Sequence, residues 1–332
     1  MQKITIHDIS KSLGIDSSTV SRALNNSNRV TPKTKEKVLA KAEELGYRRN
    51  ILAANLRKQH SMIIGVVVPK ISDNFFSNVI SGIEEVASEN GYHVFIAQSL
   101  EGLDREIKSL NNLVAYQVDG VLVSISMETK EGKHFSSLEK TKMPLVFFDR
   151  YLCGEENTTV SIDDEKAAYE ATKHLISTGC RNIAHLAGKQ NIKIYTDRLK
   201  GYQKALLEEG LKPSENYIIT SPLTENDGFE KIQSISKEID AIFSSNDHAA
   251  IGAMKYLKSI GKRIPEDISI IGFSNEPISE YTEPALSTID QSSIEMGRKA
   301  CKFLLDRIKN YETHKNKKLM LKSSLILRGS TK

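Results

Sequence analysis

The chain has 332 residues, 39% hydrophobic and 27% charged, which suits about two or three soluble folded units with real cores. Its net charge of +4 hides a split: residues 1–60 hold 12 Lys/Arg against 5 Asp/Glu, leaving 34 against 37 in the remainder. A basic first sixth on a mildly acidic body points to a polyanion partner for the first part alone. Three distant cysteines, Cys153, Cys180 and Cys301, form no C-x-x-C pair, which argues against a disulfide framework or zinc ribbon and fits a reducing cytoplasm. The N-terminus carries no apolar leader, and the longest apolar runs, such as 63–68, are strand-sized, so neither a secretory signal nor a membrane span is expected.

The stretch TIHDISKSLGIDSSTVSRALNN, residues 5–26, reads as two short helices joined by a tight turn. Thr5 caps the first, with Asp8 three residues on in a capping-box arrangement, and Ile6, Ile9 and Leu13 share one face. Gly14 ends that helix and Asp16 caps the next, which has Val20 and Leu24 inside. Ser17, Ser18, Thr19, Ser21 and Arg22 are left outside, and hydroxyls with one Arg on a short helix suit the DNA major groove. The polar turn 25–30 leads to a third helix capped by Thr31 with Pro32 first, its inner face Val38, Ala42 and Leu45. Residues 47–60 form a linker. Its Ala- and Leu-rich middle, 51–56, is too short to stay helical alone, which makes it a natural coupling element.

From Met62 the pattern becomes strand–helix alternation. Strands are expected at MIIGVVVP, HVFIAQ, DGVLVS and PLVFFD, with helices at 75–90 and 104–116. A second run has helices at 164–177, 197–209, 228–238 and 248–260, with strands at NIAHLAG, NYIIT, DAIFSS and DISIIGF. Near-continuous apolar strands between amphipathic helices indicate parallel sheets covered on both faces. Two such runs predict two doubly wound lobes, with ligand-binding residues at the carboxyl ends of strands facing a shared cleft. Those ends carry Asp73, Phe75 and Phe76; Asp149 and Arg150; Arg198, read as opening a helix; Asn246 and Asp247; Ser274 and Asn275; and Gln291 after LSTI. Carboxylates, guanidinium groups, amides and rings together suit a polyhydroxylated or planar ligand. Taken singly, Asp149–Arg150 reads equally as an ion pair and Asn246–Asp247 as a helix cap. Phosphate-cradling glycine motifs, the G-x-S-x-G elbow and metal-ligand histidine spacing are all missing, so no cofactor, metal or catalytic role is expected.

These residues together resemble the LacI/GalR family of transcriptional regulators. The likeness is carried by residues 5–50, the hinge-like ILAANLRK, IIGVVVPKISDNFFSNVISGIEE, PLVFFDR, DRLKGY, the run from IFSSNDHAAIGA to ISIIGF, and the closing SLILRGST. The resemblance implies an all-α helix-turn-helix head over residues 1–48, a hinge helix and linker over 49–60, and a periplasmic-binding-protein-like α/β body over 61–332. It further implies a cytoplasmic, nucleoid-associated bacterial regulator that binds a pseudo-palindromic operator as a homodimer under control of a small effector. Ser17, Ser18 and Arg22 match base-reading positions, Thr19, Ser21, Asn25 and Tyr47 lie near phosphates, and Leu56 matches the leucine that wedges into a central base step. Asp73, Phe75, Phe76, Asp149, Arg150, Arg198, Asn246, Ser274 and Gln291 match effector-cleft positions. The chain departs from the family at Arg49, where Pro is usual, and at Ser274, where Asp is usual, so a looser hinge and a less acidic cleft are expected. The effector expected is a sugar, sugar acid or short oligosaccharide, the two arginines clasping any acidic group. A protein co-regulator or purine-like corepressor is the alternative, and a sugar carrier or an enzyme fits less well. The chain stops soon after LRGST without an apolar heptad, so no C-terminal coiled coil is expected.

Overall fold

The computed structural model describes residues 4–47, 60–152, 157–311 and 315–332. Arg49, Leu56 and the rest of the expected hinge up to residue 59, together with Cys153, lie outside the described residues. The chain divides into two units, Met1–Ser61 and Met62–Lys332.

The first unit holds α1 (Ile6–Leu13), α2 (Ser17–Leu24) and α3 (Pro32–Glu44). Its termini follow the local chemistry. The Asp8 carboxylate accepts from the Thr5 amide at 2.8 Å and hydroxyl at 2.7 Å. Gly14 takes φ +65°, the left-handed turn that a side chain resists. Asp16 Oδ1 accepts from the Ser18 amide at 2.7 Å, and Thr31 Oγ1 from the Thr34 amide at 3.3 Å. The core is small: Ile9, Val20, Ala23, Val30, Val38 and Ala42, with Ile6, Leu13, Ile15, Leu24, Leu45 and Tyr47 packed around it.

The second unit is built of two α/β lobes. Its elements run β1 (Ile63–Val68), α4 (Asn74–Glu89), β2 (His93–Gln98), α5 (Leu103–Ala115), β3 (Gly120–Val123), α6 (Ser136–Lys140), β4 (Leu145–Phe148) and β5 (Thr158–Ile162). They continue with α7 (Asp164–Ser177), β6 (Ile183–Leu186), α8 (Lys193–Glu208), β7 (Ile218–Ile219), α9 (Glu225–Lys231), β8 (Ala241–Ser244), α10 (Asp247–Ser259) and β9 (Ser269–Ile271). The last are α11 (Ile278–Tyr281), β10 (Thr288–Asp290), α12 (Ser293–Lys309), β11 (Lys318–Leu321) and β12 (Ser324–Ile326). The first lobe has a six-stranded sheet in the order β11-β5-β4-β3-β1-β2, the second a four-stranded sheet in the order β7-β6-β8-β9, both parallel throughout. β10 and β12 pair antiparallel beside the second sheet, joined to it by a bridge from Ile271 to Ser287. Strand alternation divides the core: Ile63 and Val67 face one layer of helices, Ile64, Val66 and Val68 the other.

Three expectations need correction. The two lobes are not two consecutive runs: β5, left unassigned from sequence, and the late elements α12 and β11 complete the first lobe, so the chain crosses between lobes near 163, 291 and 323. α8 begins at Lys193, not at 197, because Ile194 and Tyr195 extend the buried face of Arg198, Gly201 and Tyr202 by one turn; Arg198 therefore sits in the second turn instead of opening the helix. β2 is an exposed edge strand, not one covered on both faces, with Phe95 41% and Ile96 44% accessible.

Candidate DNA-reading face and effector cleft

On α2 the side chains of Ser17, Ser18, Ser21 and Arg22 recur at helical spacing on the side away from buried Val20 and Ala23. Ser18, Arg22 and Asn25 are exposed, and Ser17, Thr19 and Ser21 partly so. Asn25 folds its amide back to the Ser21 carbonyl at 2.7 Å and ends the helix. The Tyr47 ring packs against the head's core and its amide bonds the Ala42 carbonyl at 2.8 Å, so the phenol marks where α3 ends. Leu56 lies outside the described residues.

In the body, ten of the eleven strand-end positions singled out from sequence line one cavity: Asp73, Phe75, Phe76, Asp149, Arg150, Arg198, Asn246, Asp247, Ser274 and Gln291; Asn275, the eleventh, is not in its lining. Ile194, Tyr195, Ser245, His248 and Glu276 line it as well. The topology explains the convergence, since the residues follow strand ends, stand at a crossing or lie in the first two turns of a helix at the carboxyl edge of a parallel sheet. The cavity volume is about 60 Å³, well below the roughly 300–1,000 Å³ of a pocket for a small molecule, so the lobes are shut on one another.

Both arginines are already answered by the chain's own carboxylates. Arg198, 2% exposed, donates Nε to Asp164 Oδ1 at 2.8 Å, Nη1 to the Ser245 carbonyl at 2.7 Å and Nη2 to Gln291 Oε1 at 3.4 Å. Its guanidinium lies 3.5 Å from the centre of the Phe273 ring. Asp164 and Gln291 stand at two of the three lobe crossings, so Arg198 braces them. Arg150 donates Nη1 to both oxygens of Glu101, at 3.0 and 2.9 Å, and Nη2 to the Tyr195 hydroxyl of the other lobe at 3.4 Å. The anticipated Asp149–Arg150 pair is looser, 3.8 Å, while Arg150 Nε is buried without a hydrogen-bond partner. Asp149 takes φ +57° and is held near Ser124 Oγ at 3.4 Å; burial pushes its carboxyl above the usual range against the pull of Arg150 and Arg198. Both guanidinium groups are thus paired with carboxylates of the same chain.

The second lobe's wall is equally tied. Asn246 caps α10, its Oδ1 accepting from the Ala249 amide at 2.9 Å while Nδ2 donates to the Leu223 carbonyl at 2.9 Å. Ser274 Oγ accepts from Gln291 Nε2 at 3.0 Å. Asp247 accepts from the Glu276 amide and from Thr288 Oγ1, both at 2.7 Å, and burial raises its carboxyl to about 7 despite those donors. Gly272 makes room for it, because a Cβ there would lie 2.1 Å from Asp247 Oδ1. Asp247 and Glu276 stand beside Asp73 and Asp149 in the cleft wall. Asp247 is one of the strand-end residues read from the sequence, beside Asn246. Glu276 stood two residues beyond Ser274 on the same loop. Among the described residues no group of His, Cys, Asp and Glu is arranged to hold a metal, and no helix is long and apolar enough to cross a membrane.

A family described as bacterial regulatory proteins, lacI family, matches residues 5–50, and a periplasmic binding protein-like domain matches residues 172–331. Catabolite control protein A of Priestia megaterium is 33% identical over 333 residues, spanning 99% of this chain and 99% of that protein. The chain belongs to the lacI family. The HTH-type transcriptional repressor CytR of Escherichia coli strain K12 is 32% identical over 333 residues, covering 99% of this chain and 96% of CytR. The crystal structure of the Lac repressor dimer bound to operator and the anti-inducer ONPF superposes with a TM-score of 0.88 at 26% identity, covering 99% of both chains. This lacI-family chain is thus a DNA-binding transcriptional regulator and not an enzyme, and its helical head and two-lobed α/β body are the family's fold.

Proposed function

We propose that this chain is a repressor that binds a pseudo-palindromic operator as a homodimer and changes its grip when an uncharged carbohydrate or carbohydrate derivative enters the cleft of its body. The observation that carries the effector half is the cavity itself: rings from Phe75, Phe76 and Tyr195 stand beside amide, hydroxyl and carboxylate groups from both lobes. Rings cover a sugar face and the polar groups meet its hydroxyls. Both arginines are paired within the chain, Arg150 with Glu101 and Arg198 with Asp164, which favours a neutral ligand over a sugar acid. On the head, Ser17, Ser18 and Arg22 read base edges and Thr19, Ser21, Asn25 and Tyr47 meet the backbone, while Leu56 opens a central base step.

A second copy of the chain suits the apolar edge of the first lobe. Among the described residues β2 is the last strand of its sheet, and Ile71, Phe95, Ile96, Leu100 and Tyr116 are exposed there. Selection of duplexes from a random pool by the full chain tests the reading. Two related half-sites about one or more helical turns apart are expected, with affinity falling steeply as salt rises. Equal affinity for the selected duplex and a scrambled one at moderate salt would sink the assignment.

A further inference from the structure

One contact across the closed cleft is of a different kind from the others. Glu276, carried by the second lobe and 7% exposed, reaches the first lobe and accepts from the two leading amides of α4: Asn74 N at 3.2 Å and Phe75 N at 3.1 Å. α4 is 16 residues long, and its cap residue Asp73 makes no side-chain capping bond. Its N-terminus therefore presents unsatisfied donors and the positive end of the helix dipole to the cleft, an arrangement that draws an anion. The only carboxylate that meets those two amides among the described residues comes from the opposite lobe.

The loop behind Glu276 is shaped to deliver it. Ser274 has φ +108° and Asn275 φ +50°, two left-handed residues in succession without a glycine. The turn is held by Asn275 Nδ2 on Asp290 Oδ2 at 3.0 Å, by Arg328 Nη2 on Asn275 Oδ1 at 2.8 Å, and by the Glu276 amide on Asp247 Oδ2 at 2.7 Å. Two further hydrogen bonds over the cleft carry less charge or are longer: Asn191 Nδ2 donates to the Met127 carbonyl at 2.8 Å, and Arg150 Nη2 to the Tyr195 hydroxyl at 3.4 Å.

We propose that Glu276 is an internal latch: its carboxylate occupies the helix end in place of an effector's anionic group and holds the two lobes together across the cleft. The inference rests on the cleft being the effector site, and it deepens that reading in two ways. The protein needs no corepressor to close, and an effector acts by displacing the latch or by entering beside it, without using the helix end for an acid of its own. Ligand-driven opening is then the signal passed on.

Hydrogen exchange on the full chain, with neither DNA nor effector, tests the latch separately from the operator reading. A carboxylate that merely capped α4 would, when removed, loosen only the first turn of that helix. Loss of a latch exposes both walls. In Glu276→Ala, exchange in peptides covering 189–195 and 245–248 of the second lobe should rise along with that of 73–77, roughly tenfold. Glu276→Gln, which keeps the shape and loses the charge, should move the same peptides in the same direction by less, and it decides the matter if the alanine variant does not fold. Inorganic phosphate should restore protection to Glu276→Ala and leave the parent unchanged. Unaltered exchange at 189–195 and 245–248 in the folded variants overturns the latch while leaving the regulator assignment intact. An operator-binding failure would do the reverse.

Discussion

Charge is used in opposite ways by the two units. In the head, Arg22 stands exposed on a helix eight residues long, and the net positive charge of the first 60 residues waits for a polyanion from outside. In the body, Arg150 and Arg198 are buried and already met by Glu101 and Asp164 of the same chain. A cation left in water by a small helix is an address for a partner. A cation sealed between lobes is a strut, and removing it strands the carboxylate it neutralised.

The contrast is most exposed to failure at Arg198. Arg198→Ala leaves Asp164 buried without its guanidinium and should cost the body roughly 3–5 kcal/mol in denaturant unfolding. A loss under about 1 kcal/mol would show that Arg198 is not a strut and that its side chain is available to a ligand. Arg22→Ala should do the converse. Operator affinity falls by about 1–3 kcal/mol and one position of each half-site relaxes, while unfolding stays within about 0.5 kcal/mol of the parent. A drop in stability would mean that Arg22 belongs to the head's fold and not to its reading face. Asp16→Ala removes the cap on the same helix and should destabilise the head alone, by about 1 kcal/mol, measured as earlier melting of the head with the body transition unmoved.

A smaller effect distinguishes the body by pH. His185 donates or accepts at Nδ1 with the Phe243 carbonyl, 3.0 Å away, and its ring stacks between Tyr202 and Phe243. Burial pushes its imidazolium down to about 3. The unfolded chain takes up that proton near pH 6.5 and the folded chain does not. The stability His185 contributes is therefore full above about 6.5 and drains away as pH falls toward 3, by at most about 1.4 kcal/mol per pH unit. Between about pH 7.5 and 5.5 the parent should lose more unfolding free energy than His185→Phe, and equal slopes would contradict the assignment of a neutral buried ring.

The head was readable because its rules are local. Thr5, Gly14, Asp16 and Thr31 act on residues within four positions of themselves, and all stand where the spacing put them. The strand ends of the body were readable for a related reason: parallel strands gather their carboxyl ends whatever lies between them. What stayed hidden depends on partners distant in sequence. Nothing near Arg198 announces Asp164, 34 positions away, and nothing near Glu276 announces the amides of Asn74 and Phe75, some 200 positions earlier. The late return of α12 and β11 to the first lobe has the same origin, since helix and strand periodicity do not say which sheet an element joins.

The central claim is that the cleft of the body and the reading face of the head are coupled through one chain. It is tested most directly by operator affinity measured with and without a ligand that raises the melting temperature of the body in a screen of sugars and their derivatives. The account predicts a change in operator affinity of about 5- to 150-fold at saturating ligand, a coupling of roughly 1–3 kcal/mol. A ligand that stabilises the body by binding the cleft and leaves operator affinity unchanged would contradict it.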